Sequence, residues 1–347
     1  MPDPIRLGII GTGLIVTGKH WPALSALQHI FGVVALTNRN TAKAEALADT
    51  IADQTGFRPA VYGSHREMLT QERLDAVSLA LPPDMNPEIA EAALVQGCHV
   101  LAEKPIAATL ADATRMVPWS ATYGRVLMIA ENYRYLASHQ RAADLIKRGV
   151  IGPPQTARWS YYHFLGPEIP YYQTAWRQHP AHIGGYLSDG GVHHAAVLRM
   201  LLGDVETVCG QVAQLRPDLP PADTLSATLR FKTGAVGTYA VTYAVPGPRT
   251  ALEVAGPAGV LLVSRYKVDL WQRDRLVSSW DEPSPVDGSV AMYQDFARSI
   301  RTGAPSQSPP LEALEDLRLI AAIMRSSETG RPVRVVEMAA TSPTEPS

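Results

Sequence analysis

The chain has 347 residues, 46% hydrophobic and 18% charged, with a formal net charge of −2. That length suits two domains, and the composition is that of a globular protein with ample core. The near-neutral charge gives no basis for nucleic acid or an acidic membrane as partner, no window is long and apolar enough to span a bilayer, and the N-terminal run leaves no room for a signal peptide.

Ile5 to Ile10 is a short isoleucine-rich run and is predicted to be a buried parallel strand. It stops at Gly11-Thr12-Gly13, and a helix is expected from about Leu14 to Leu27. Phe31 to Thr37 is a second strand, Thr41 to Ala52 an alanine-rich helix, and Val61-Tyr62 a short strand. Ala76 to Leu81 is a strand halted by Pro82-Pro83, and Pro87 to Gln96 a helix ended by Gly97. Val100 to Ala102 is a strand ending at Glu103-Lys104-Pro105; a helix over Thr109 to Ser120 and a strand over Val126 to Ala130 follow. Strands alternating with helices imply βαβ units on a parallel sheet.

The rhythm changes after Glu131. Ala137 to Arg148 is one more helix. Six segments rich in β formers then run over Thr156–Phe164, Val205–Val212, Thr224–Phe231, Ala235–Tyr243, Thr250–Ala255 and Gly259–Val263, which favours a large, mainly antiparallel sheet. Ser289 to Arg301 and Leu311 to Ser327 are closing helices, Val333 to Val336 a last strand, and a polar, proline-containing tail follows from about residue 338. Cys98 and Cys209 form no ligand cluster and suit a reducing compartment, so the expected setting is the cytoplasm.

Three stretches carry chemistry. Gly11-x-Gly13-x-x-Val16, after a strand and before a helix, is a dinucleotide turn: the first glycine permits the bend, and the second lets the backbone approach a pyrophosphate. Valine stands where glycine or alanine is usual. At the second strand's end, Thr37-Asn38-Arg39-Asn40 offers no acid to a ribose hydroxyl and an arginine to a 2′-phosphate, so NADP(H) is favoured and NAD(H) remains possible. Lys104, at a parallel strand's end, can donate a hydrogen bond to a substrate oxygen or carry a proton. Finally, Gly184 to His194 contains Asp189 and His193 at i and i+4, an acid and an imidazole on one helical face.

These marks together resemble the Gfo/Idh/MocA family of oxidoreductases. They are Gly8 to Gly13; Leu81-Pro82 with Asn86; Gly97 to Pro105; Glu131-Asn132-Tyr133-Arg134-Tyr135; Trp176-Arg177; and Gly184-Gly185 running on to Asp189 and His193. The resemblance spans about residues 5 to 336. It implies an α/β protein: a Rossmann domain with a doubly wound parallel sheet over 1–126, then a substrate and oligomerisation domain over 127–337 with a large open sheet. It implies an NAD(P)-dependent oxidoreductase acting on a CH–OH group of a sugar, cyclic polyol or related diol, working as a homo-oligomer, dimer or tetramer. The family's catalytic groups fall on Lys104, Asp189 and His193. Its cofactor contacts fall on Gly11, Thr12, Gly13, Leu14, Ile15, Thr37, Asn38, Arg39, Leu81, Pro82, Asn86, Glu103, Lys104, Asn132, Trp176 and Arg177, and in some relatives on the position of Tyr293. Asn86 stands where many relatives have histidine, Ala196 where an acid is frequent, and His194 is added beside His193. The run from Ser188 to Leu201 looks most like a branch found in fungi and bacteria.

His193 is the expected proton carrier, because imidazole titrates near neutrality; Asp189 would orient it and Lys104 would polarise the oxygen or share the proton. His194 lies about 100° round the helix and is expected to serve packing or solvent. Tyr133, Arg134, Tyr161, Tyr162 and His163 are candidates for lining a sugar pocket. Two rival readings are a non-catalytic NADP(H)-binding regulator and a metal-dependent enzyme using His163, His179, His182, His193 and His194. The pattern itself favours no metal.

Overall fold

The computed structural model describes residues 3–247 and 250–338, so the expected tail lies, beyond Met338, outside the described residues. The chain clusters into two compact units. One runs to Ala108 and takes in Asp112–Glu131 and Pro285–Ala313; the other comprises Thr109–Ala111, Asn132–Ser284 and the chain from Leu314. The expected division at residue 126 is linear, whereas the first unit also takes in Pro285–Ala313. Pro285–Ala313 belongs to the first unit because helix Ser289–Thr302 turns an apolar stripe inward and packs Tyr293 and Phe296 on Phe31, with ring centroids 5.6 and 6.4 Å away.

The first unit is built on strands β1 (Ile5–Ile10), β2 (Phe31–Thr37), β3 (Ala60–Tyr62), β4 (Ala76–Leu79), β5 (His99–Ala102) and β6 (Leu127–Ile129). All pair in parallel, in the order β3-β2-β1-β4-β5-β6. Their near-continuous apolar runs are buried on both faces, as a parallel sheet covered by helices demands. Backbone bonds carry the ladder past the strand ends: Gly11 N–H to the Thr37 carbonyl at 2.8 Å, Ala80 N–H to Ile10 at 2.8 Å, and Glu103 N–H to Leu79 at 2.9 Å. The carboxyl ends of β1, β2, β4 and β5 therefore form one continuous rim, where such sheets bind ligands.

Two helices depart from expectation. The segment after the glycine turn is π-helical over Val16–His20 and α-helical only over Trp21–Ser25; the wider turn sends both Val16 and His20 inward. The helix expected over 109–120 breaks at Val117-Pro118 into Leu110–Met116 and Trp119–Tyr123, since proline lacks the donor that would continue it. A helix over His65–Gln71, not anticipated, is capped by Ser64, whose hydroxyl accepts from Glu67 N–H at 3.1 Å.

Among the described residues the second unit holds nine strands: β7 (Thr156–Tyr162), β8 (Val205–Ala213), β9 (Thr224–Phe231), β10 (Val236–Thr242), β11 (Leu252–Gly256), β12 (Gly259–Ser264), β13 (Lys267–Gln272), β14 (Arg275–Asp281) and β15 (Val333–Arg334). Their order is β14-β13-β12-β11-β7-β10-β9-β8-β15, antiparallel throughout except for β7 with β10. Strict alternation in β9 buries one face and exposes the other. The hairpin β13–β14 was not anticipated, and the last strand ends at Arg334, two residues short of expectation. Helix Tyr186–Leu202 lies against the buried face, contributing Leu187, Val197 and Leu198 to a core shared with Leu225, Phe231 and Tyr239.

Candidate active site

In the first unit, the glycine turn has the geometry its spacing implies. Gly11 has φ of +90°, and a Cβ there would lie 2.5 Å from the Ala80 carbonyl oxygen, so only glycine fits. At Gly13 a Cβ would meet no protein atom within 4 Å. The backbone is thus open to close approach just before the helix, which fits a pyrophosphate. Leu14 is exposed and Ile15 half-buried on that turn. Asn38 donates from Nδ2 to Thr12 Oγ1 at 2.7 Å and accepts from Asn40 N–H at 3.4 Å, fixing the loop after β2. Arg39 projects from that loop into solvent, and Leu81 and Pro82 are half-buried beyond β4.

Lys104 follows β5. Glu103 accepts at both carboxylate oxygens, from Lys104 N–H at 3.2 Å and from His20 Nε2 at 2.8 Å. The His20 ring in turn meets Tyr293 Oη at 2.7 Å, and Tyr293 meets Ser78 Oγ at 2.9 Å. Two expected cofactor contacts are corrected here. Asn86 and Tyr293 are both 0% exposed, so neither can touch a ligand as placed. Asn86 Nδ2 instead donates to the carbonyls of Glu103 at 2.7 Å and Pro105 at 3.1 Å, clamping the lysine loop from beneath. Tyr293 lies inward because its helix buries that face, and burial pushes its phenol well above the ordinary value.

In the second unit, Asp189 and His193 lie on helix Tyr186–Leu202. Asp189 is buried, and its Oδ2 accepts from Arg177 Nε at 2.7 Å. Arg177 also donates to Thr174 Oγ1 at 3.2 Å and stacks its guanidinium over the rings of Trp176, at 4.0 Å, and Tyr171, at 5.0 Å. Arg177, an expected cofactor contact, thus directs its charge at Asp189, a charge-assisted bond that holds the carboxylate in place. His193, half-buried, stacks on Tyr133 with centroids 4.3 Å apart and planes at 13°. Arg265 sits over the same tyrosine ring at 5.4 Å and donates to its hydroxyl at 3.3 Å.

His194 faces the other way. It is 2% exposed, bonds Tyr239 Oη through Nδ1 at 2.8 Å, and packs on Trp159 and Tyr161. Burial first, then the neighbouring His193 and His139, push it down to about 3, so it stays neutral. Arg134, expected in a substrate pocket, is corrected: it is 5% exposed and paired with the buried Asp316, which Arg199 also bonds at 2.6 Å. That is a core ion network, demanded by the desolvation of its members. Tyr162 is exposed, His163 and Tyr161 half-buried, and Asn132 buried in the turn Asn132–Tyr135. Among the described residues, no three His, Cys, Asp or Glu side chains gather as a metal site would require.

Comparison with known proteins bears on the family and the fold. Residues 5–131 match the model of an oxidoreductase family with an NAD-binding Rossmann fold, and residues 139–262 that of the GFO/IDH/MocA C-terminal domain. An uncharacterized protein of Saccharomyces cerevisiae is 34% identical, the match covering 75% of this chain and 74% of that protein. The D-xylose 1-dehydrogenase (NADP(+)) 2 of Haloferax volcanii is 26% identical over 95% of this chain and 100% of its own length. An oxidoreductase from Thermotoga maritima superimposes with a TM-score of 0.90 at 34% identity, covering 97% of this chain and 100% of that one. A Rossmann-type parallel sheet with its glycine turn, a mixed sheet and two matching family models leave one assignment: the chain belongs to the Gfo/Idh/MocA family of NAD-binding oxidoreductases.

Proposed function

We propose that this protein is an NADP-favouring dehydrogenase that interconverts a secondary alcohol and a ketone, or a sugar hemiacetal and a lactone, on a sugar, cyclic polyol or related diol. A bound nicotinamide dinucleotide supplies the hydride acceptor in oxidation and the donor in reduction. Gly11 to Ile15 would hold its pyrophosphate. Arg39, exposed at the end of β2 with no acid in the adjoining Thr37-Asn38-Asn40, would take a 2′-phosphate. Lys104 would polarise the reacting oxygen, His193 would take its proton, and Asp189 would orient the imidazole. The observation that carries the reading is the presence, in a chain that matches an NAD-binding family, of Lys104 at a parallel strand's end and of Asp189 and His193 one helical turn apart. The xylose dehydrogenase relative supports both the substrate class and the cofactor. Two free cysteines, one buried and one exposed, support a reducing compartment.

Turnover of aldoses, inositols, anhydro sugars and dihydrodiols with NADP⁺ and NAD⁺ tests it. Activity with NADP⁺ is expected on at least one class. Lys104→Ala and His193→Ala should each lower kcat by at least about 100-fold while leaving thermal unfolding near wild type. Tight NADPH binding with no turnover on any class would favour a regulator, and a large preference for NAD⁺ would overturn the cofactor assignment.

A further inference from the structure

Lys104 sits between two residues whose positions are set from below. The Asn86 amide reaches the carbonyls of Glu103 and Pro105, and the Glu103 carboxylate receives the Lys104 N–H. The carboxylate's other oxygen is held by a chain of three buried groups, His20, Tyr293 and Ser78, drawn from three separate parts of the first unit. With a neutral imidazole, one order of protons satisfies the three short bonds and leaves the longer Ser78 Oγ–His20 Nδ1 contact of 3.4 Å unused. A carboxylate only accepts, so His20 Nε2–H donates to Glu103. Nδ1 then accepts the Tyr293 hydroxyl proton, and the Tyr293 oxygen accepts from Ser78. Burial keeps the Tyr293 phenol protonated, so this donor persists. All the donors thus run toward Glu103.

We infer that His20, Tyr293 and Ser78 form a positioning chain that fixes Glu103 and, through it, the backbone of Lys104. This rests on the reading of Lys104 as a group of the active site. Helix Ser289–Thr302, distant in sequence, is therefore part of the catalytic apparatus through a single hydroxyl. Misplacing a reacting group by about 1 Å can cost about 100-fold in rate, so even partial slackening should register.

The experiment compares Tyr293→Phe, which keeps the ring and deletes the hydroxyl, with Phe296→Leu, which loosens the same helix without touching the chain. Amide hydrogen exchange at Lys104, read by mass spectrometry with electron-transfer fragmentation, is the direct measure; kcat and the KM for NADPH are the second. Tyr293→Phe should speed Lys104 exchange and lower kcat, each about tenfold, with KM within about twofold. Phe296→Leu should lower the unfolding temperature and leave Lys104 exchange and kcat near wild type. Ser78→Ala provides the same test from the far end should Tyr293→Phe not fold. Unchanged Lys104 exchange, unchanged kcat, or equal effects from Phe296→Leu would each overturn the assignment. If the wild-type protein turns over no sugar or polyol, the functional reading fails by itself, and the exchange result still decides whether the chain holds Lys104.

Discussion

Each unit carries a glycine tied to a helix of its candidate site, Gly13 just before one and Gly190 inside another, and the two do opposite things. At Gly13 an added Cβ would find no protein atom within 4 Å; at Gly190 it would fall 1.7 Å from the Tyr243 hydroxyl oxygen. In the first unit the missing side chain leaves the backbone accessible to a ligand. In the second, the protein has already used the space: glycine lets the Asp189–His193 helix settle against the sheet closely enough to meet Tyr243. The same residue type thus leaves open space in one place and admits close packing in the other, and only the neighbours tell them apart.

The contrast makes the largest expected effect a split between two alanine substitutions. Gly190→Ala must push the buried Tyr243 out of its place and should cost about 3 kcal/mol or more, leaving less folded protein. Gly13→Ala should fold with stability within about 0.5 kcal/mol of wild type, yet weaken NADPH binding at least about tenfold. Expression yield, thermal unfolding and a fluorescence titration with NADPH measure both. A stable Gly190→Ala, or a Gly13→Ala that binds normally, would erase the distinction.

A second test separates site residues from core residues within the second unit. Arg134 and Arg177 were both expected at the site, but Arg134 is locked on Asp316 while Arg177 bonds Asp189. Arg134→Met leaves a buried carboxylate short of one partner and should cost about 3 kcal/mol in urea unfolding. Its kcat per folded molecule should stay near wild type. A kcat that fell with stability intact would return Arg134 to the site.

How far the sequence could be read follows the same division. The parallel strands and the glycine turn of the first unit were legible because buried parallel strands are apolar runs and the turn's spacing is dictated by a phosphate. The helix over His65–Gln71 had a signal, Ser64 three residues before Glu67, that went unread. His20 had none: its partners lie 83 and 273 residues away. Arg134 misled because its neighbours are tyrosines while its carboxylate partner is 182 residues distant. The β13–β14 hairpin was missed because its turn uses Arg273 and Asp274, both at positive φ, where glycine or asparagine would have announced it.

The smallest effect distinguishes the two adjacent histidines. His193 is half-buried against Tyr133; His194 is enclosed and pushed from 6.5 to about 3. Because the folded state resists a proton that the unfolded chain accepts, the unfolded state binds more protons between those two values. Stability from this residue is therefore fully present above pH 6.5 and is lost as the pH falls toward 3, at up to about 1.4 kcal/mol per pH unit. Between pH 7 and pH 5 the loss should be about 2 kcal/mol. His194→Phe removes the titrating group. It also leaves the Tyr239 hydroxyl without its partner, so it should be less stable at pH 7.5 by about 1–3 kcal/mol but show a flatter acid limb. Urea unfolding of wild type and His194→Phe at pH 7.5 and pH 5 decides it: parallel pH dependences would mean that His194 takes a proton in the folded protein as readily as in the unfolded one.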